Sequence, residues 1–213
     1  MKKVYFISGL GADKRVFSFL DLSFCEPVFI DWIEPLKKES LESYALRLRK
    51  KIPEHNPIVV GISFGGMLAT EMAKADPNIK AIIIASNKTA GEFPKYIRAA
   101  KYFPFYKWLP GKLMNHSAYF LKWVLGRNGK EQKKVLLSII RDTDARFAKW
   151  CITAILNWKN KRVPKNVIHI HGTADKLLPF RLVKADYIIK GGNHVMPMDS
   201  HKEISVLLKK LIE

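Results

Sequence analysis

Six short apolar runs punctuate the chain and constrain its fold more than any other feature. They are Val4–Ser8, Val28–Trp32, Pro57–Ile62, Ile79–Ala85, Val167–His171 and Asp186–Lys190. Each is rich in β-branched residues and nearly continuous in apolar character, the pattern of a strand covered on both faces. Helical patterns fall between them. Ser40 can cap a helix running to about Ile52, with Leu41, Tyr44, Leu48 and Ile52 on one face. A second pattern runs from Gly66 to about Ala75 and stops at Asp76-Pro77, and a last one, Glu203–Ile212, keeps Ile204, Leu207, Leu208 and Leu211 in phase. Strand–helix alternation predicts a mostly parallel, doubly wound α/β sheet of about six strands.

The rhythm fails between Asn87 and Lys165, where no clear strand is found. Helix-like segments dense in aromatic and basic residues take its place, among them YIRAAKYFPFYKWLPGKLMNHSAYFLKWVLG, KEQKKVLLSII and ARFAKWCITAILNW. The expected organisation is a core made of residues 1–86 and 166–213, with residues 87–165 inserted between two strands as a helical cap.

The sharpest chemical signal is Gly61-Ile62-Ser63-Phe64-Gly65. Alone it is moderate evidence, since average Gly and Ser usage would place a GxSxG somewhere in a chain of this length in roughly one case in fifteen. Its context is more specific: a strand pattern precedes it and a helix pattern follows. A nucleophile elbow needs that strand–turn–helix setting, because the serine backbone is held in a strained turn that lifts Oγ out of the sheet. Glycines on either side let strand and helix pass close together.

A serine hydroxyl is a weak nucleophile without a base, and the base needs a third group to orient it. Asp175 lies in a loop after the fifth run, in His171-Gly172-Thr173-Ala174-Asp175. His194 follows the sixth, in Gly191-Gly192-Asn193-His194. Ser63, Asp175 and His194 thus all fall at carboxyl ends of strands, where catalytic groups collect on open parallel sheets, and in the order nucleophile, acid, base. Competing residues fit less well. Asp186 begins a strand, at the wrong end of the sheet, and Asp199 follows His194, out of order. His201 opens the final helix, His169 lies within a strand, and His171 is placed to brace the Asp175 loop. Two backbone N–H groups are needed for an oxyanion hole: Phe64, directly after the nucleophile, and Leu10, in the Gly9-Leu10-Gly11 loop after the first strand.

With these residues assembled, the chain resembles the α/β-hydrolase superfamily over nearly its whole length. The motifs carrying the resemblance are SGLGAD at 8–13, GISFGG at 61–66, HGTADKLLP at 171–179 and GGNHVMPMDSHKEI at 191–204. The last two are also similar to the plant methylesterase and hydroxynitrile-lyase branch. Its lyase chemistry is associated with a lysine directly after the catalytic histidine, and here that position is Val195. Ser8-Gly9 replaces the His-Gly that often opens the oxyanion loop. The two N-terminal strands of the full fold are missing, so a trimmed version of it is expected.

The resemblance implies a serine hydrolase acting on a carboxylic ester or related acyl compound through an acyl-enzyme, with no metal and no cofactor. Thioester or carbon–carbon bond hydrolysis, or small-molecule binding without catalysis, are the alternatives. A dinucleotide site is a poorer fit: Gly9-Leu10-Gly11 follows a strand and Asp31 ends the next, but position 14 is Lys14 where a third glycine is needed. An epoxide- or haloalkane-type mechanism would want Asp in place of Ser63.

Charge bears on the partner. Thirty-seven Lys+Arg against nineteen Asp+Glu leave a net charge of +18. Such a field draws anions, but the basic residues are scattered and form no arm, which argues against nucleic acid. In the expected cap, Tyr96, Tyr102, Phe103, Phe105, Tyr106, Trp108, Tyr119, Phe120 and Trp123 could roof an apolar acyl pocket, and the interleaved Arg98, Lys101, Lys107, Lys112, Lys122 and Arg127 could favour an anionic substrate or an acidic membrane surface. Cys25 and Cys151 belong to no CxxC pair or zinc spacing and read as reduced, buried thiols. No run reaches the ~18 apolar residues of a membrane span, and the apolar N-terminal stretch ends too soon for a secretory signal. A cytoplasmic small-molecule hydrolase is the expectation.

Overall fold

The computed structural model describes residues 1–102 and 129–213. A six-stranded sheet is its centre: β1 (Lys3–Ile7), β2 (Glu26–Phe29), β3 (Ile58–Ile62), β4 (Lys80–Ile84), β5 (Val167–Gly172) and β6 (Tyr187–Ile189). The strand order is β2-β1-β3-β4-β5-β6 and every neighbouring pair is parallel. Because β2 and β3 lie on either side of β1, the order reverses there, and β1 and β3 open a crevice at their carboxyl ends.

Side chains of successive strand residues point to opposite faces, and each face has its own core. Val59, Ala81 and Ile83 pack with α1 (Leu41–Arg49) and α2 (Phe64–Ala75) through Leu41, Tyr44, Leu48, Met67, Leu68 and Met72. On the other face Val60, Ile82, Ile84 and Ile170 meet Phe17 and the last helix through Ile204, Leu208 and Ile212. The four inner strands, β1, β3, β4 and β5, are buried on both sides, which is why their sequences show no polar alternation.

Element boundaries depart from the sequence reading in instructive ways. β2 starts at Glu26, upstream of Val28, and includes Pro27. It is an edge strand with β1 as its neighbour, so a residue without an N–H is tolerated there. Trp32 has left the sheet, and its indole N–H donates to the Ala12 carbonyl at 2.7 Å. α2 begins at Phe64, two residues before the glycine pair suggested, with Ser63 as its N-cap.

Between β4 and β5 the described residues hold α3 (Lys95–Ala100), α4 (Lys130–Asp142) and α5 (Ala145–Asn157). α5 packs deep in the molecule: Cys151 and Ala154 are buried in the cluster that contains Tyr44 and Phe64, and the Trp150 ring lies 4.4 Å from that of Tyr44. At its C-cap, Trp158 donates its indole N–H to Glu71 at 2.6 Å, and Lys74 pairs with the same buried carboxylate. After β6 come the short α6 (Met196–Asp199) and α7 (His201–Ile212). Cys25 and Cys151 are both free and buried. Among the described residues no helix is long and apolar enough to cross a membrane.

Candidate active site

Ser63 joins β3 to α2 with φ 52° and ψ −115°. A non-glycine residue in that region is strained and persists only where its surroundings over-determine it. They do so here. The Ser63 N–H donates to Ile84 O at 2.9 Å, and the Ser86 hydroxyl donates to Ser63 O at 2.6 Å. The same carbonyl accepts the N–H groups of Gly66 at 3.0 Å and Met67 at 3.2 Å. The motif glycines are there for space: a Cβ on Gly65 would strike the Ile7 and Ser8 carbonyls, and one on Gly61 would strike the carbonyl of Gly65.

Asp175 and His194 come from neighbouring strand ends that are laced together. Ala174 N–H donates to Gly192 O at 2.9 Å and Thr173 N–H to Ile189 O at 3.0 Å. Gly191 turns the chain with φ +73°, and its N–H reaches the Thr173 hydroxyl at 2.8 Å. The result is a line of three side chains. His194 Nδ1 is 2.9 Å from Asp175 Oδ2, and His194 Nε2 is 2.9 Å from Ser63 Oγ. Asp175 Oδ1 accepts the Leu177 and Leu178 N–H groups at 2.9 and 2.8 Å.

These contacts bear on where the protons lie. Burial pushes the Asp175 carboxyl up, but the facing His194 and the loop amides outweigh it and hold it below the usual carboxylate range. An ionised carboxylate can only accept, so the proton of this contact lies on His194 Nδ1. The Nε2 edge is the one that faces the Ser63 hydroxyl.

The other titratable candidates lie elsewhere. His171 Nε2–H donates to Leu178 O at 2.8 Å and lies 3.5 Å from Asp175 Oδ2, while its Nδ1 is 2.9 Å from His169 Nε2. It braces the Asp175 loop from behind. Burial pulls both histidines below the ordinary range, His169 the further. Asp186 pairs with Lys88 at 3.6 Å, His201 meets the Met198 carbonyl at 3.0 Å, and Asp199 accepts the Asn193 amide at 2.6 Å. Burial pushes the Asp199 carboxyl up. Among the described residues no group of His, Cys, Asp and Glu is arranged to hold a metal ion.

The Gly9–Gly11 loop lies against the serine: a Cβ on Gly9 would sit 3.5 Å from Ser63 Cβ. Ser8, standing where a histidine is common, steadies this loop by donating its hydroxyl to Ala12 O at 2.7 Å, and Ala12 N–H closes a turn onto Gly9 O at 3.0 Å. Phe64 is the first residue of α2, and a first-turn N–H has no partner within its own helix. It also sits at the positive end of the helix dipole. Among the described residues no backbone carbonyl takes the N–H of Leu10 or of Phe64.

Of the aromatic residues expected over the site, Tyr96 donates its hydroxyl to Leu177 O at 2.9 Å, in the Asp175 loop, and Tyr102 is exposed. Phe103, Phe105, Tyr106, Trp108, Tyr119, Phe120 and Trp123 lie outside the described residues, as do Lys107, Lys112, Lys122 and Arg127. Sequence reasoning passed over Ser86 and Asn193, which brace the serine and histidine turns. Ser86 had a signal, a polar residue just past the carboxyl end of a central strand; for Asn193 the only cue was its place beside His194.

Comparison with known proteins agrees with this architecture. The sequence model described as "Alpha/beta hydrolase family" matches residues 4–205. No curated protein is significantly similar in sequence. Among solved structures, an esterase from Exiguobacterium antarcticum is similar with a TM-score of 0.76 at 12% identity, covering 100% of this chain and 92% of that one. A structure from a study of carboxylesterases of the Thaumarchaeon Nitrososphaera gargenis gives 0.77 at 13%, covering 99% and 89%. A hydrolase from Oleispira antarctica gives 0.74 at 16%, covering 100% and 91%. Identities this low establish the fold, and the family match over most of the sequence does the rest: the chain belongs to the α/β-hydrolase family.

Proposed function

We propose that this hydrolase cleaves a carboxylic ester or related acyl compound through an acyl-enzyme on Ser63. His194 takes the hydroxyl proton as Oγ attacks the carbonyl, then hands it to the leaving alcohol. Asp175 keeps the imidazole in the required tautomer and stabilises the imidazolium. The N–H groups of Leu10 and Phe64 receive the oxyanion, an interaction worth about 3–4 kcal/mol per donor in other hydrolases. Water, activated by His194, then releases the acid.

The observation that carries this reading is the unbroken Ser63–His194–Asp175 line, with 2.9 Å at each step and the serine held in a strained turn. The named esterases among its structural relatives support the same class of reaction. Residues 87–165 form the cap in this proposal, with α5 serving the core as well. The substrate is a small molecule with an apolar acyl part, drawn in where it carries negative charge by the net +18; the partner is not nucleic acid. Two buried free thiols suit a cytoplasmic setting.

The test is labelling with a fluorophosphonate probe of serine hydrolases. Wild-type protein should label and Ser63→Ala should not. A well-folded wild type that stays unlabelled would overturn the proposal in favour of a binding role on the same fold.

A further inference from the structure

Helix α4 touches both flanks of the proposed catalytic centre. On one side Leu136 and Ile140 pack against Val195, the residue that follows His194. On the other, its C-cap residue Thr143 lies on the Gly9–Gly11 loop. Thr143 Oγ1 is 2.7 Å from Gly11 O and 2.9 Å from Ile139 O. A hydroxyl has one proton to give, and the shorter contact is the one to Gly11. The approach is close: a Cβ on Gly11, whose φ is +65°, would come within 2.5 Å of the Thr143 methyl. Arg15 ties the same two parts together a few residues further on, with Nη1 2.8 Å from Asp142 Oδ2 and 3.0 Å from Ser138 Oγ.

Two carbonyls beside Gly11 O are held from within the core. Gly9 O takes the Ala12 N–H, and Ala12 O takes the Ser8 hydroxyl and the Trp32 indole. The Gly11–Ala12 peptide, whose N–H makes that bond to Gly9 O, is held at its own carbonyl by α4 through Thr143. We propose that Thr143 is a positioning residue of the oxyanion hole: by anchoring Gly11 O it fixes the Gly11–Ala12 peptide, whose N–H holds Gly9 O, and so steadies the Gly9–Leu10 peptide that aims the Leu10 N–H at the site where negative charge develops. This rests on the reading of Ser63 as nucleophile and Leu10 as donor. A donor must stand about 2.7–3.1 Å from the oxyanion, and a misplacement of about 1 Å can cost ~100-fold in rate. A loop freed at one of its anchors loses part of that alignment, for which about tenfold is the expected fall.

The experiment measures fluorophosphonate labelling of the whole protein as separate kinact and KI, with melting temperature alongside. In the probe the P=O oxygen occupies the oxyanion position. Thr143→Val keeps the shape that packs on Gly11 and removes the hydroxyl. It should lower kinact about tenfold with KI unchanged, and Thr143→Ser should restore the wild-type rate. A purely structural role would move the melting temperature and leave kinact of the folded protein alone. Wild-type kinact in Thr143→Val, or equal slowing in Thr143→Ser, overturns the inference. Should Thr143→Val fail to fold, Thr143→Ala removes the same hydroxyl with less bulk against Gly11 and carries the same expectation, and labelling of it at the wild-type rate overturns the inference equally. Ser63→Ala separates the two levels: if it still labels, the underlying catalytic reading has failed, whatever the Thr143 variants do.

Discussion

Replacing Asp175 with Asn probes the proposed catalytic line at the point where its geometry is most constrained. The two carboxylate oxygens face different donors: Oδ1 takes two loop N–H groups at 2.9 and 2.8 Å, and Oδ2 takes His194 Nδ1–H at 2.9 Å. An asparagine has one oxygen to offer. Turned toward the loop, it keeps two bonds and points its NH2 at His194; turned the other way, it sets that NH2 against two N–H donors. The first orientation wins. His194 must then accept at Nδ1 and carry its proton on Nε2, where it cannot receive the proton of Ser63. Reaction would require the opposite tautomer, with two N–H groups facing each other in a buried site. A tautomer error of this kind costs about 10⁴ in kcat in a serine protease, which converts to about 5 kcal/mol at 1.36 kcal/mol per tenfold. The variant should melt close to wild type, because amide and carboxylate have the same shape and the loop bonds survive. Fluorophosphonate labelling and hydrolysis of p-nitrophenyl butyrate both report the loss. Activity within tenfold of wild type would remove Asp175 from the mechanism, and an equal loss in Asp199→Asn would point to Asp199 as the acid.

Three further outcomes can be measured by urea unfolding. Gly65→Ala should destabilise by about 3 kcal/mol or prevent folding, since the added Cβ meets backbone carbonyls that cannot yield; a change under about 1 kcal/mol would contradict the packing described. Trp158→Phe removes the indole N–H from the buried Glu71 carboxylate and should cost about 2–3 kcal/mol; no loss would mean that Lys74 satisfies the carboxylate unaided. Burial holds His169 and His171 below the ordinary value of 6.5, so below that pH the unfolded chain binds more protons than the folded one and stability falls as pH falls. The unfolding midpoint should therefore drop between pH 7.5 and 5.5, and a flat profile would contradict the buried, neutral pair.

The four inner strands were legible because each is covered on both faces, and a β-branched apolar run has few other fates. The edges were less so. β2 begins at Glu26 and contains Pro27, residues that a strand pattern excludes and an edge position permits. Ser63, Asp175 and His194 could be read in order because each sits just past a strand, which fixes its end of the sheet without any knowledge of the packing. What joins these groups was not legible. Ser86 on Ser63, Thr143 on Gly11 and Tyr96 on Leu177 are hydrogen bonds between segments far apart in sequence, and ordinary Ser, Thr and Tyr residues carry no mark of such a partner. The place of α5 was hidden for a similar reason: an amphipathic helix looks the same whether it roofs a pocket or fills a core, and only the contacts of Cys151 and Ala154 tell the two apart.

The strained turn at Ser63 has a temporal side. Its backbone hydrogen bonds, to Ile84 and from Gly66, Met67 and Ser86, all lie in the first 86 residues, whereas its histidine is 131 residues downstream. At about 5–20 residues per second of synthesis, that interval lasts roughly ten seconds. In the proposed mechanism a serine whose turn had formed before the β6–α6 turn docked would be an ordinary hydroxyl beside no base. In the order of synthesis the proposed nucleophile comes early, and the base that would arm it comes late.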